Sequence, residues 1–243
     1  MPKFFLPPDV TPDRFLTLTG ENCQHAKVLR LKRGDAVTVC DGRGTDYLCT
    51  VSDVSDGCIS LVVEQHGAAD SEPAVACSVY LSFPKSDKLE HVIQKATELG
   101  AAEIVAFPSA RCVSRPDAKS LQKKLERWQK IAASAAGQSG RGRIPDVLVL
   151  PSYAAALERA AAADLSVLFY ENEHARTFRA AIEAAPFRTA ALMTGPEGGL
   201  EPGEVEAALA AGLQVCTLGR RILRCETAPL CALSALMYAA GEF

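Results

Sequence analysis

The sequence predicts a mixed α/β protein: a small N-terminal β-barrel or β-sandwich, then a larger α/β domain built on a mostly parallel sheet. Three observations predict it. Up to about Asp70, short apolar runs alternate with period two between Gly/Asp turns. After Ala74, apolar runs of strand length alternate with helical patterns. Between them, His66-Gly67-Ala68-Ala69-Asp70-Ser71-Glu72-Pro73 is polar, small and closed by proline, as a linker is. The expected domains are residues 1–72 and 73–243.

In the first domain Val37 and Val39, then Tyr47, Cys49 and Val51, then Ile59, Leu61 and Val63 mark three strands. Asp41-Gly42-Arg43-Gly44 and Ser55-Asp56-Gly57 separate them. In the second, the pattern predicts a strand over Val75–Phe83, a helix over Lys88–Leu99, a strand over Glu103–Phe107 and a helix over Ala118–Ala136. It continues with a strand over Val147–Leu150, an Ala-rich helix from Tyr153, a strand over Leu165–Tyr170 and a helix near Phe178. Then come Ala190–Thr194, a helix over Gly203–Ala211, Val215–Leu218 and a last helix ending near Ala240. Alternation of this kind argues for a parallel sheet covered on both faces. Ligands in such sheets sit beyond the carboxyl ends of the strands, so the loops after Thr194 and Leu218 are the ones to inspect.

Of the 243 residues 48% are hydrophobic and 23% charged, with 26 basic and 29 acidic side chains; this composition excludes a disordered chain. No apolar run approaches the roughly 18 residues of a membrane span, and prolines at positions 2, 7 and 8 interrupt the start before an export signal forms, so a cytoplasmic protein is expected. Nine cysteines without a C-x-x-C pair read as buried apolar residues in a reducing compartment, and with four scattered histidines no metal is expected. Charge is uneven. Arg111, Arg115, Lys119, Lys123, Lys124, Arg127, Lys130, Arg141 and Arg143 face only Asp117 and Glu126, a net +7 over residues 111–143 of a chain whose net charge is −3. Leu121, Leu125, Trp128, Ile131 and Ala135 recur at helical spacing and form the expected buried face, so the lysines read either as a solvated face or as a phosphate track.

Two segments carry the expected chemistry. Thr194-Gly195-Pro196-Glu197-Gly198-Gly199-Leu200 follows a strand and precedes a helix, a side-chain-poor turn whose backbone can approach a ligand. Leu218 to Ala228 likewise precedes the last helix, with Glu226 and Thr227 where a helix start favours a carboxylate and a hydroxyl. Glu226 reads as a cap or as an acceptor at a ligand pocket. Neither segment is a dinucleotide fingerprint or a P-loop: Tyr47 stands where Gly42 and Gly44 would need a third glycine, and no G-K-[ST] occurs.

Together with His25 to Asp35, Pro84-Lys85 through Glu90, Gln94 to Gly100, Arg111, Gln138-Ser139-Gly140-Arg141 and Ile144-Pro145, these blocks resemble the SPOUT RNA methyltransferases. The narrower resemblance is to the ribosomal small subunit methyltransferase E family. Each motif is weak alone, but eight in order are specific. The resemblance implies a PUA-like barrel, a SPOUT domain with a deep C-terminal trefoil knot, a homodimer and S-adenosylmethionine as cofactor. The implied reaction is methylation of uridine N3 in the 16S RNA of the small ribosomal subunit. Cofactor binding is thereby implied for Thr194, Gly195, Pro196, Glu197, Gly198, Gly199, Leu218, Gly219, Ile222, Leu223, Arg224, Thr227 and Ala228. Cys225 stands where the resemblance expects threonine, and Thr194 where it expects isoleucine or valine.

Methylating N3 requires loss of its proton, which a base or a cation stabilising the anionic ring promotes. Arg224 and Glu226 are the expected catalytic residues, ahead of Glu197. A Cys225 nucleophile would instead signal methylation at carbon 5, which the family resemblance disfavours. Lys27, Arg30, Lys32, Arg33, Lys85, Arg111, Arg141, Arg143, Arg220 and Arg221 form the expected RNA contacts. Two alternatives stay open: a non-catalytic RNA-binding protein, and the same fold acting on another RNA.

Overall fold

The computed structural model describes residues 1–7, 10, 12–113 and 116–243, with the backbone only at residue 118; Arg115 of the basic stripe lies outside them. The chain divides into two compact units, residues 1–72 with 136–144, and residues 73–135 with 145–243. Among the described residues no helix is long and apolar enough to cross a membrane.

The first unit contains β1 (Lys3–Phe5), β2 (Phe15–Thr19), α1 (Gly20–Val28), β3 (Ala36–Cys40), β4 (Thr45–Ser55) and β5 (Cys58–Ala68). Its sheet has the order β1-β3-β4-β5-β2, antiparallel except where β1 joins β3. The period-two residues turn inward: Val37, Val39, Cys49, Val51, Ile59 and Leu61 are buried with Phe4, Leu16 and Leu18. Tyr47 and Val63 pack at the margin of this core. Helix α1 escapes the sequence pattern because it buries only Cys23 and Ala26, too few apolar positions to make a stripe.

Residues 136–144 are held in this unit by polar contacts. Glu72 receives Arg141 Nη2 at 2.6 Å and Nε at 3.3 Å, and the amides of Gly142 and Arg143 at 2.8 and 3.0 Å. The Arg141 side chain is only 5% exposed. The Cys40 thiol donates to the Gly142 carbonyl, and Lys3 donates to the Gly140 carbonyl while pairing with Asp46 at 2.7 Å. Four donors converging on one carboxylate satisfy it fully, the condition under which a buried charge pair is tolerated.

The second unit runs β6 (Ala76–Ser82), α2 (Lys88–Glu98), β7 (Glu103–Phe107), α3 (Ala118–Ser139), β8 (Asp146–Val149), α4 (Tyr153–Ala160), β9 (Leu165–Phe169), α5 (Phe178–Glu183), β10 (Thr189–Thr194), α6 (Pro202–Ala210), β11 (Gln214–Cys216) and α7 (Thr227–Ala239). The last turn of α3 belongs to the first unit. The sheet is wholly parallel, in the order β11-β9-β10-β6-β7-β8. Its strands are mostly apolar because both faces are covered; every residue of β9 is buried, Ser166 included. Helix α2 buries Leu89, Val92, Ile93 and Ala96, an i, i+3, i+4, i+7 stripe. Helix α3 buries Trp128 and Ala135 as expected, with Lys119, Lys123, Lys124 and Lys130 exposed. Helix α6 starts in a capping box between Glu201 and Glu204, with Pro202 at its first position.

Glu72→Ala leaves the Arg141 guanidinium buried without its carboxylate. A loss of about 3–5 kcal/mol is expected, measured as a lower urea midpoint at unchanged slope; a loss of less than about 1 kcal/mol would mean that the pair behaves as a surface ion pair.

Candidate functional site

Strands β10, β9 and β11 lie side by side, so the turns at their carboxyl ends meet at one edge of the sheet. They enclose a cleft of about 790 Å³. The turn after β10 supplies Gly195 to Gly199. The Gly199 amide closes it onto the Pro196 carbonyl at 2.9 Å, and Gly199 has φ 69°. A Cβ there would also meet the end of the exposed Glu171 side chain, which can move aside, so it is the left-handed backbone that favours glycine. Gly198 packs against Arg111, whose Nη1 donates to the Gly198 carbonyl at 3.1 Å.

The loop after β11 turns at Gly219, φ 106°, with its amide on the Thr217 hydroxyl at 3.1 Å. It then carries Arg220, Arg221 and Ile222 outward; Ile222 is 86% exposed. The Arg224 carbonyl accepts the Thr227 and Ala228 amides, both at 2.9 Å, fastening the loop to the start of α7. Arg224 is exposed, lines the cleft and has no side-chain ion pair among the described residues.

Of the expected site residues, Thr194 to Gly199, Leu218, Gly219, Ile222, Leu223, Arg224 and Ala228 line the cleft, with Arg220 and Arg221. Glu226 and Thr227 do not. Thr227 is exposed at the first turn of α7, and the Glu226 carboxylate is drawn to Lys88. Glu226 therefore makes no side-chain cap on α7, which corrects its reading as a cap. The sequence reading missed a third wall, the turn after β9 with Tyr170, Glu171, Asn172 and His174. Its signal is the strand order, which puts β9 between β10 and β11 and which periodicity does not contain.

Lys88, the first residue of α2, brings two of these loops together. Its ammonium is 3.1 Å from Glu197 Oε1 and 3.1 Å from Glu226 Oε2, and it donates to Cys225 Sγ at 3.7 Å. The Lys85 amide donates to the same Glu197 oxygen at 3.0 Å, and the Cys225 thiol donates to Glu226 at 3.2 Å. Glu197 and then Glu226 hold the Lys88 ammonium above the ordinary lysine range. Burial raises Glu197, but the Lys85 amide, its own amide and Lys88 outweigh it and leave its carboxyl below the usual range. Burial is likewise outweighed at Glu226 by its own amide, the Cys225 thiol and Lys88. The carboxylates lose their contribution as pH falls through their lowered values, and the ammonium loses its own as pH rises through its raised value. All three charges therefore persist across roughly pH 5 to 10.

Cys225 is pushed up to about 12, first by burial and then by the Glu226 carboxylate. A buried, protonated thiol is a poor nucleophile, so the carbon-5 reading loses its thiolate.

The expected RNA contacts fall in both units. In the first, Lys27, Arg30, Lys32, Arg33 and Arg143 are exposed, Lys27 lying 3.4 Å from Asp56. Arg141 is corrected: buried on Glu72, it presents no charge to a phosphate. In the second, Lys85 and Arg111 are exposed, Arg111 also bracing the Gly198 turn.

Residues 71–237 match the family described as RNA methyltransferase domain, and residues 18–64 the RNA methyltransferase PUA domain. The chain is 39% identical over 228 residues to ribosomal RNA small subunit methyltransferase E of Bacillus subtilis, covering 91% of this chain and 89% of that one. It belongs to the ribosomal RNA small subunit methyltransferase E family. The family member of that name from Mycobacterium bovis is 34% identical, covering 94% of this chain and 88% of its own. A crystal structure of the family enzyme from Neisseria gonorrhoeae, bound to S-adenosyl methionine, superposes with a TM-score of 0.87 at 31% identity, covering 98% of this chain and 97% of that one.

Within this family member the thiol beside the cleft is expected to be inert. Iodoacetamide at pH 8 should label Cys225 far more slowly in the native chain than in urea, read by peptide mass spectrometry. Equal rates would place an open thiolate at the site.

Proposed function

We propose that this chain transfers a methyl group from S-adenosylmethionine to N3 of a uridine in 16S ribosomal RNA of the small subunit. One observation carries the reading: three strand-end turns enclose a single cleft, with the Arg224 guanidinium, which has no ion pair among the described residues, on its wall, in a chain of the methyltransferase E family. The cleft fits the cofactor by size, since about 790 Å³ lies within the roughly 300–1,000 Å³ usual for such ligands. It also fits by chemistry. Phe169, Leu218 and Leu223 offer apolar surface for a purine, and the glycine turn offers backbone amides and carbonyls free of side-chain bulk. Gly195 to Gly199, Leu218, Gly219, Leu223 and Ala228 would hold it, with Tyr170 and Asn172 on the third wall.

S-adenosylmethionine supplies an electrophilic methyl group on a sulfonium. The chain's own work is to exclude water, orient the uracil and manage the N3 proton. Arg224 stabilises the ring anion left when that proton departs to solvent. Glu197 and Glu226, both committed to Lys88 and both lowered, are weak proton acceptors and hold the loops instead. Phosphate contacts from Lys27, Arg30, Lys32, Arg33, Arg143, Lys85, Arg220 and Arg221 set the RNA's register without reading its sequence.

The trefoil knot and the homodimer belong to the same reading. Cys231, Ala235 and Tyr238 are exposed at i, i+4, i+7 on α7, and Tyr238 is 74% exposed, an exposed helix face suited to a second copy. Sedimentation at micromolar concentration should give twice the 25.8 kDa chain mass; a monomer would remove the dimer.

The deciding assay follows labelled methyl from S-adenosylmethionine into small subunits isolated from cells lacking this protein, with nucleoside analysis of the RNA. The native chain is expected to give 3-methyluridine, and folded Arg224→Ala to lose about 100-fold or more in kcat. Label in another nucleoside would overturn the N3 assignment. Binding of subunits without any cofactor binding would favour a non-catalytic RNA-binding role.

A further inference from the structure

We propose that Lys88 is a positioning residue, a clasp that ties the turn after β10 to the start of α7 and thereby fixes the two loops between which the cleft forms. Its ammonium reaches Glu197 Oε1 and Glu226 Oε2, both at 3.1 Å, and these carboxylates belong to different loops. The sequence reading gave Lys88 no role, and Lys88 does not line the cleft.

Four features make this more than an incidental surface pair. Glu226 occupies the N-cap position of α7 but makes no side-chain cap bond there, and its carboxylate goes to Lys88 instead. Glu197 is held twice, by the Lys88 ammonium and by the Lys85 amide, so the segment preceding α2 grips the glycine turn by backbone as well as by side chain. Ser86, between these two lysines, has φ 59°, a left-handed conformation that a non-glycine residue adopts at a cost. The bend at Ser86 lies between the Lys85 amide and the Lys88 side chain, the two groups that meet the same Glu197 oxygen. Finally, the three donors of an ammonium match the three acceptors present, Glu197, Glu226 and Cys225 Sγ, whereas a planar guanidinium has no such spread.

Between the two tied points the chain carries Arg224 on the cleft wall, directly before Cys225 and Glu226. Releasing Lys88 removes the one group that touches both carboxylates, leaving Glu197 on the Lys85 amide and Glu226 on the Cys225 thiol, and frees the two loops to separate. The effect on methyl transfer rests on the function proposed above; the clasp itself does not.

The test therefore has an arm that needs no activity. Cys225 labelling by iodoacetamide is compared in the full-length native chain, Lys88→Met and Lys88→Arg, alongside kcat and KM for methyl transfer to small subunits. Lys88 lowers the thiol's pKa, so its removal acting through charge alone would slow labelling, whereas release of the loop speeds it. The expected result for Lys88→Met is faster Cys225 labelling and a kcat lower by about 100-fold with little change in KM for RNA, with Lys88→Arg intermediate. Labelling as slow as in the native chain, or an unchanged kcat in an otherwise active system, overturns the proposal. If the Met variant fails to show a cooperative thermal transition, Lys88→Arg carries both readouts, and native values in it overturn the clasp. A native chain that does not methylate subunits counts against the methyl-transfer reading, while the labelling arm still decides the clasp.

Discussion

All six strands of the larger sheet point the same way, and that constraint governs the site. A parallel strand must be followed by a crossover before the next can pair, so each strand ends in a turn on the same edge of the sheet. With β9 between β10 and β11, three such turns become neighbours. Nothing else in the unit could assemble Gly195 to Gly199, Tyr170 to Asn172 and Leu218 to Leu223 around one volume, because these segments lie some twenty residues or more apart in sequence. The site is thus a consequence of direction and order, and the side chains refine what the backbone has already brought together.

The sheet's existence was legible because burial on both faces makes its strands predominantly apolar, and the helices were legible wherever one face is buried, as in α2 and α3. Two of the three cleft walls were legible for another reason: Gly-Pro-Glu-Gly-Gly and Leu218 to Ala228 are dense in residues that a plain turn does not need. The third wall was not, since Tyr170-Glu171-Asn172 is unremarkable polar chain and becomes informative only beside β10 and β11. The same limit explains the membership of residues 136–144 in the first unit. That connection is made by Glu72, Arg141 and Lys3, and charge pairs over long sequence separation leave no period in the chain. Arg141 shows the cost of counting charges without partners, because nothing local separates an arginine that meets phosphate from one that meets a buried glutamate.

Glycine and charge do complementary work around the cleft. The glycines remove bulk from the site and leave room for the Glu171 carboxylate against Gly199 and for Arg111 against Gly198. The resulting turns have few side chains to hold them, and ionic contacts from outside the cleft supply the missing constraint: Arg111 on the Gly198 carbonyl and Lys88 on Glu197. A ligand then meets a surface that is slender and still preorganised, which lowers the ordering cost of binding.

Nine unpaired cysteines, six of them buried, add no cross-links to this fold. Burial holds Cys49 and Cys216 up to about 11 and Cys40 up to about 12, so these thiols stay protonated and shielded from oxidants while the chain is folded. Unfolding abolishes that protection for the six buried thiols at once. The reservoir of thiols that is silent in the native protein becomes a source of random disulfides in the denatured chain, so air oxidation converts a reversible unfolding event into a permanent one. For these six, oxidation outside a reducing environment is accordingly set by how often the chain opens, and the packing that buries them serves as their antioxidant.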